Sequence, residues 1–297
     1  MSAARAIATE VPRFAAPADG MPTPTMLVAW SRDGLLILED FLSAAACHAL
    51  IARANEIVKV FDPSDAVAFS TRSHAHERSG YFLESGDKVR CFLEEEALDA
   101  EGTLLVPKTR AVNKIGHALH DLDPVFSRVS RDPRLACLAQ ALGVAQPLLL
   151  QSMYIFKQPK IGGEVVCHQD ATFLRTEPQS VIGLWFALED ATPENGCLEA
   201  LAGRHRAGPK QLYRRHGKRL DMDVLDSEPW PESERTVLPA RRGTLIAFHG
   251  SLPHLSGANR SPRSRQAYTL HVIDGACRYL DDNWLQRGSD IPLRGFA

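Results

Sequence analysis

The chain has 297 residues, 44% of them hydrophobic, and a formal net charge of -2. That composition is ample for a sizeable core in one embellished domain, and a charge so near zero excludes polyelectrolyte binding to nucleic acid or an anionic membrane as the main activity. Six cysteines without a CxxC pair indicate neither a zinc ribbon nor a disulfide scaffold, and Glu10, Pro12 and Arg13 interrupt any signal-peptide core, so a cytoplasmic protein is expected.

Residues 1–24 are rich in Ala and Pro without amphipathic period, and read as a mobile tail or surface arm before a single domain over 25–297. After Asp33-Gly34, residues 35–38 form a short apolar run that predicts a strand. Ser43 is placed to cap a helix running from Ala44 to about Lys59. The polar, aperiodic stretch 62–80 predicts a loop long enough to serve as a lid. Helices are predicted over 111–120 and 133–142, the second stopped by Gly143.

From residue 147 the pattern changes to short apolar runs, over 147–156, 181–188, 236–238, 244–248 and 265–273, separated by Gly, Pro and Asn turns. Strands without intervening helices predict an antiparallel jelly roll, mainly β with flanking helices, and not a doubly wound sheet. Residues 209–231, with Arg214, Arg215, Lys218, Arg219, Asp221, Asp223 and Asp226, read as a solvated insertion.

His168-Gln169-Asp170 is the candidate metal motif. Its composition alone is weak evidence, since 11 His and 36 acidic residues in this chain give about one His-x-Asp/Glu by chance. Context strengthens it: the motif lies on an extended segment after Gly162-Gly163-Glu164, where residues i and i+2 face one side. Two histidines could supply a third ligand, His249 at a strand end or His254 in the following turn, and the arginine that follows His254 favours the latter. Arg265, Ala267, Thr269 and His271 share one strand face; a guanidinium pointing inward there needs an anion, from a ligand or from an internal acid. His271 reads as a neighbouring or core histidine and not as a fourth ligand. Two imidazoles and one carboxylate suit iron(II) with positions left open for an oxo-acid and dioxygen.

The chain resembles the phytanoyl-CoA dioxygenase family of iron(II)- and 2-oxoglutarate-dependent oxygenases. The likeness rests on Asp33-Gly34 with 35–42, Ser85-Gly86-Asp87-Lys88, 113–120, 151–159, 163–174, Glu189-Asp190-Ala191-Thr192, Glu194-Asn195-Gly196-Cys197-Leu198, Gly203-Arg204-His205 and 264–271. It implies a double-stranded β-helix with His168, Asp170 and His254 as catalytic iron ligands, which selects His254 over His249. It also implies that Arg265 anchors the co-substrate 2-oxoglutarate, in a pocket lined by Lys114, Met153, Trp185 and Ser256. Dioxygen and a small organic substrate complete the expected partners. The carboxylate of Asp170 favours hydroxylation over halogenation.

Four alternatives stand beside this reading. They are a catalytically silent jelly-roll sensor, a cupin-like metal enzyme whose Arg265 meets an internal acid, an acyl-CoA 2-hydroxylase, and an oxidase performing desaturation or cyclisation. An acyl-CoA would call for a basic patch at the pocket mouth, for which Arg72, Arg78, Lys210, Arg214 and Arg215 are the candidates. Residues 62–80 and 209–230 diverge from the family, so substrate identity does not follow from the resemblance.

Overall fold

The computed structural model describes residues 10–72 and 79–297, so Arg78 and part of the 62–80 loop lie outside the described residues. The first element, β1 (Arg13–Ala15), falls within the expected mobile tail. It is followed by α1 (Pro24–Asp33), β2 (Leu35–Glu39) and α2 (Ala44–Val60). β1 runs parallel to β2 with Arg13 opposite Ile37, so residues 13–15 are an edge strand of the main sheet and not a free tail. Ser43 caps α2 as expected, its hydroxyl accepting from the Ala46 amide at 3.2 Å.

Next come β3 (Ala68–Phe69), α3 (Gly80–Leu83), β4 (Val89–Glu94), α4 (Lys108–Ala111), β5 (Val112–His117) and α5 (Leu119–Leu122). The helix expected over 111–120 is therefore overturned: its centre is a strand and only single turns flank it. Antiparallel ladders to β4 on one side and to the strand beginning at Pro147 on the other satisfy both edges of β5, and Ile115 is fully buried between them. Tertiary pairing here overrides a local pattern that suited either state. Helices α6 (Pro124–Ser130) and α7 (Pro133–Ala141) complete the helical layer.

The second half contains β6 (Pro147–Ile155), β7 (Val165–His168), α8 (Asp170–Phe173), β8 (Thr176–Glu177), β9 (Ile182–Ala187) and β10 (Leu198–Ala200). It continues through β11 (Gln211–His216), β12 (Arg219–Val224), β13 (Thr236–Leu238), β14 (Leu245–His249), β15 (His254–Ser256), β16 (Ala267–Asp274) and β17 (Arg278–Tyr279). Nine strands form one sheet in the order β1-β2-β14-β9-β16-β6-β5-β4-β3, and β13-β10-β15-β7 form the second.

Strand alternation divides the large sheet into two faces. Leu36, Leu38, Tyr154, Leu184, Phe186, Tyr268 and Leu270 pack outward with Leu50, Phe126 and Leu138 of the helices. Their neighbours Leu35, Ile37, Trp185, Ile246 and Phe248 point inward against Leu198, Ala200 and Leu238 of the smaller sheet. A third cluster, with Phe82, Phe92, Tyr213 and Trp284, closes one end. This is the expected double-stranded β-helix with flanking helices.

The 209–231 segment is the β11–β12 hairpin, with six residue pairs in antiparallel register from Gln211↔Val224 to His216↔Arg219. It is not merely a solvated excursion, because Tyr213 is buried against Phe173, the ring centroids 5.2 Å apart. Residues near 284–296 are also built in: Trp284 stacks on Phe82 at 4.5 Å and 11°, and Leu149 bridges Arg294. Arg287 reaches the carboxylate of Asp121, which Arg131 and His120 also contact, at 2.6 and 3.2 Å.

Candidate metal centre and co-substrate pocket

His168 ends β7, Gln169 stays extended (φ -118°, ψ 133°), and Asp170 opens α8. The extended Gln169 preserves the strand alternation that brings His168 and Asp170 to one side, although Asp170 itself is not in a strand. His254 is the first residue of β15 and lies directly opposite His168 in the β7–β15 ladder. The donor atoms of His168, Asp170 and His254 all lie within 4.8 Å of one another. His249 is elsewhere, beside Trp30 and His205 at ring distances of 6.2 and 5.3 Å.

The tautomers of both histidines follow from their partners. Nδ1 of His168 faces the Val166 carbonyl at 2.9 Å and Nδ1 of His254 faces the Leu252 carbonyl at 3.0 Å. A carbonyl only accepts, so each Nδ1 donates and each Nε2 keeps its lone pair. Both Nε2 atoms face Asp170 Oδ1, at 3.6 and 3.8 Å, too far for a hydrogen bond and close enough for one ion to bridge. Burial, with His168 alongside, pulls the His254 pKa down to about 4, so the ring is neutral at pH 7. Burial works against ionised Asp170, but His271 and His254 outweigh it and hold the carboxyl well below its ordinary range. Two imidazoles and one carboxylate suit a divalent ion.

Arg265 lies just before β16, on its inward side, and is 1% exposed. Its Nη2 donates to Ser256 Oγ at 3.2 Å, and Ser256 in turn donates to the Gly196 carbonyl at 2.9 Å. Nε and Nη1 have no hydrogen-bond partner, and among the described residues no carboxylate comes within ion-pair reach. Burial lowers this guanidinium to about 10, still a cation at neutral pH. The internal acid that a cupin-like reading requires is thus not found among the described residues.

Lys114 is the second buried cation. It sits on β5, not on a helix surface, with Nζ 3.2 Å from the Phe69 ring centroid and 3.9 Å from Met153 Sδ. Burial pushes its pKa well below the lysine range. Met153 and Trp185 flank Thr269 on adjacent strands, and the Trp185 ring centroid lies 5.5 Å from the Arg265 guanidinium carbon. His168, Asp170, His254, Lys114, Met153, Trp185, Ser256 and Arg265 all line one cavity of about 540 Å³.

The same cavity is lined by groups that motif reading missed: Phe69, Phe82, Phe173, Tyr213, Trp284 and Gln151. Gln151 is 4% exposed. Alternation from Met153 along β6 was the signal that could have found it. Among the described residues, the basic candidates for an acyl-CoA are each engaged by other groups of the chain. Arg72 pairs with Glu164, Lys210 with Asp226 at 2.6 Å, and Arg214 with Asp223 at 2.7 Å and Asp282 at 2.9 Å. Arg215 donates to the carbonyls of Gly217, Leu83 and Trp284.

Residues 30–267 match the family model described as phytanoyl-CoA dioxygenase (PhyH). The chain belongs to the phytanoyl-CoA dioxygenase family. A phytanoyl-CoA dioxygenase of Arabidopsis thaliana is 43% identical over 90% of this chain and 95% of its own length. Phytanoyl-CoA dioxygenase domain-containing protein 1 of Bos taurus is 45% identical over 91% and 97%. Membership bears out the enzyme class read from the sequence, an iron(II)- and 2-oxoglutarate-dependent oxygenase.

Solved structures extend the likeness in fold. The carbocyclase SnoK from nogalamycin biosynthesis aligns with a TM-score of 0.61 at 18% identity, covering 92% of this chain and 96% of its own. EctD from S. alaskensis with 2-oxoglutarate and 5-hydroxyectoine gives 0.59 at 22%, covering 89% and 80%. Among the described residues no helix is long and apolar enough to cross a membrane.

Proposed function

We propose that this family member couples oxidative decarboxylation of 2-oxoglutarate to hydroxylation of an unactivated C–H bond in a small organic substrate, releasing succinate and carbon dioxide. His168, Asp170 and His254 would hold iron(II), and the bound iron with 2-oxoglutarate supplies the oxidising chemistry. Arg265 carries the reading: a fully buried guanidinium with two unpartnered nitrogens, in the same cavity as the triad, fits an anionic co-substrate. Ser256 fixes its Nη2. Lys114, Met153 and Trp185 would line the co-substrate pocket.

The aromatic side chains that line the cavity would keep water from the reacting carbon and leave room for a compact substrate. The carboxylate of Asp170 supports hydroxylation, because halogenation needs a vacant position there. Arg72, Lys210 and Arg214 each face a carboxylate, which the phosphates of coenzyme A would have to displace. Six free cysteines are in keeping with a reducing, cytoplasmic setting.

The test is spectroscopic. Anaerobic iron(II) with 2-oxoglutarate should give a weak visible charge-transfer band in the wild type, abolished in His168→Ala and Asp170→Ala, and iron with air should yield succinate. A wild type with neither band nor succinate rejects the proposal.

A further inference from the structure

We infer that His271 is a positioning residue for the metal centre: its ring N–H holds Asp170 Oδ2, so that Oδ1 alone is offered to the ion. This rests on the metal-binding reading above. His271 Nε2 lies 3.1 Å from Asp170 Oδ2, whereas Oδ1 is the atom that faces Nε2 of both His168 and His254. The two carboxylate oxygens thus have different partners. One is occupied by a hydrogen bond; the other points to the ligand pair.

Several observations separate this from an ordinary core histidine. His271 is 4% exposed, and among the described residues its Nδ1 has no partner and its one polar contact is with Asp170, so no wider hydrogen-bond network there accounts for an imidazole at this position. Across the ladder His271 is paired with Gly183, where an added Cβ would lie 2.9 Å from Asp170 Oδ2 and 2.2 Å from the Phe248 ring. The barrel wall is therefore cut back to glycine where the carboxylate passes. Nor does His271 belong to the group whose donor atoms lie within 4.8 Å of one another.

The arrangement has a chemical consequence. A carboxylate free to chelate through both oxygens would take a position that the oxo-acid or dioxygen needs; one with Oδ2 tied to an N–H donor keeps that position open. His271 acts through Asp170 and touches neither co-substrate nor substrate in this role.

Manganese(II) binding to the metal-free, full-length protein, followed by calorimetry, tests the inference with no activity readout. His271→Phe, which keeps a flat ring without the donor, should bind manganese(II) about 10- to 100-fold more weakly than wild type, whereas His271→Gln, which keeps an N–H, should recover to within about threefold. Equal binding by His271→Phe and wild type overturns the inference, as does a loss in His271→Gln as large as in His271→Phe. Nitrogen-15 spectra of the wild-type histidine rings with zinc(II) added decide the matter without any variant. His168 and His254 should show coordinated Nε2, while His271 keeps a protonated, uncoordinated Nε2; coordination of His271 refutes the role. A wild type that binds neither metal removes the metal reading itself, and this inference with it.

Discussion

His168 and His254 are direct partners across the β7–β15 ladder, their ring centroids 4.3 Å apart, although 86 positions separate them in the chain. Register therefore sets the distance between the two imidazoles, as it sets any cross-strand pair. Exchanging His254 for Ala should weaken manganese(II) or iron(II) binding by at least about tenfold, the scale of losing one inner ligand when even its outer partners count that much. His249→Ala should leave the same calorimetric affinity unchanged. The reverse pattern would assign the third ligand wrongly.

Arg265 and Ser256 form a graded pair for the oxo-acid. Arg265→Ala should weaken 2-oxoglutarate binding by about 2 to 5 kcal/mol, as expected for loss of a buried charge partner. Ser256→Ala removes one neutral contact to the guanidinium and should cost about 0.5 to 1.5 kcal/mol. Titration of the anaerobic visible band with 2-oxoglutarate measures both. An unchanged affinity in Arg265→Ala would refute its anchoring role.

Gly183→Ala places a methyl group 2.2 Å from the Phe248 ring and 2.9 Å from Asp170 Oδ2. Overpacking of this kind costs about 1 to 3 kcal/mol. Thermal unfolding should show that loss, and metal affinity should fall with it. Full affinity in a destabilised variant would separate packing from the metal centre.

Asp121 gives the fold an acid-sensitive point. Burial opposes its charge, but His120, Arg287 and Arg131 hold the carboxyl well below its ordinary range. The folded pKa lies below the unfolded value of about 3.9, so its stabilisation is complete above that pH and is lost as pH falls through the folded value. Melting temperatures measured from pH 6 downward should drop more steeply in wild type than in Asp121→Asn, with the gap between them closing toward acid. Parallel curves would refute this assignment.

Much of the molecule was legible in its residues because period-2 alternation is a local property. The runs at 181–188, 244–248 and 265–273 became β9, β14 and β16 with ends shifted by a residue or two, and Arg265, Thr269 and His271 share the inward face as expected. α1 was missed although Thr23, Pro24 and Gly34 are its cap, first-turn and terminating residues, a signature present in the sequence. β5 was misread because its pairing with β4 and β6 depends on segments dozens of residues away. The choice of His254 over His249 came from family resemblance; the ladder that places it opposite His168 is likewise a long-range fact. Tyr213 carries no motif, and its part in the cavity emerges from packing alone.

The stack of Trp284 on Phe82, with the Leu149–Arg294 bridge beyond it, makes the last stretch of chain a wall of the chamber. Shortening the protein from that end would first strip Phe296 from the main core and Arg294 from Leu149, and would unroof the site only on reaching Trp284.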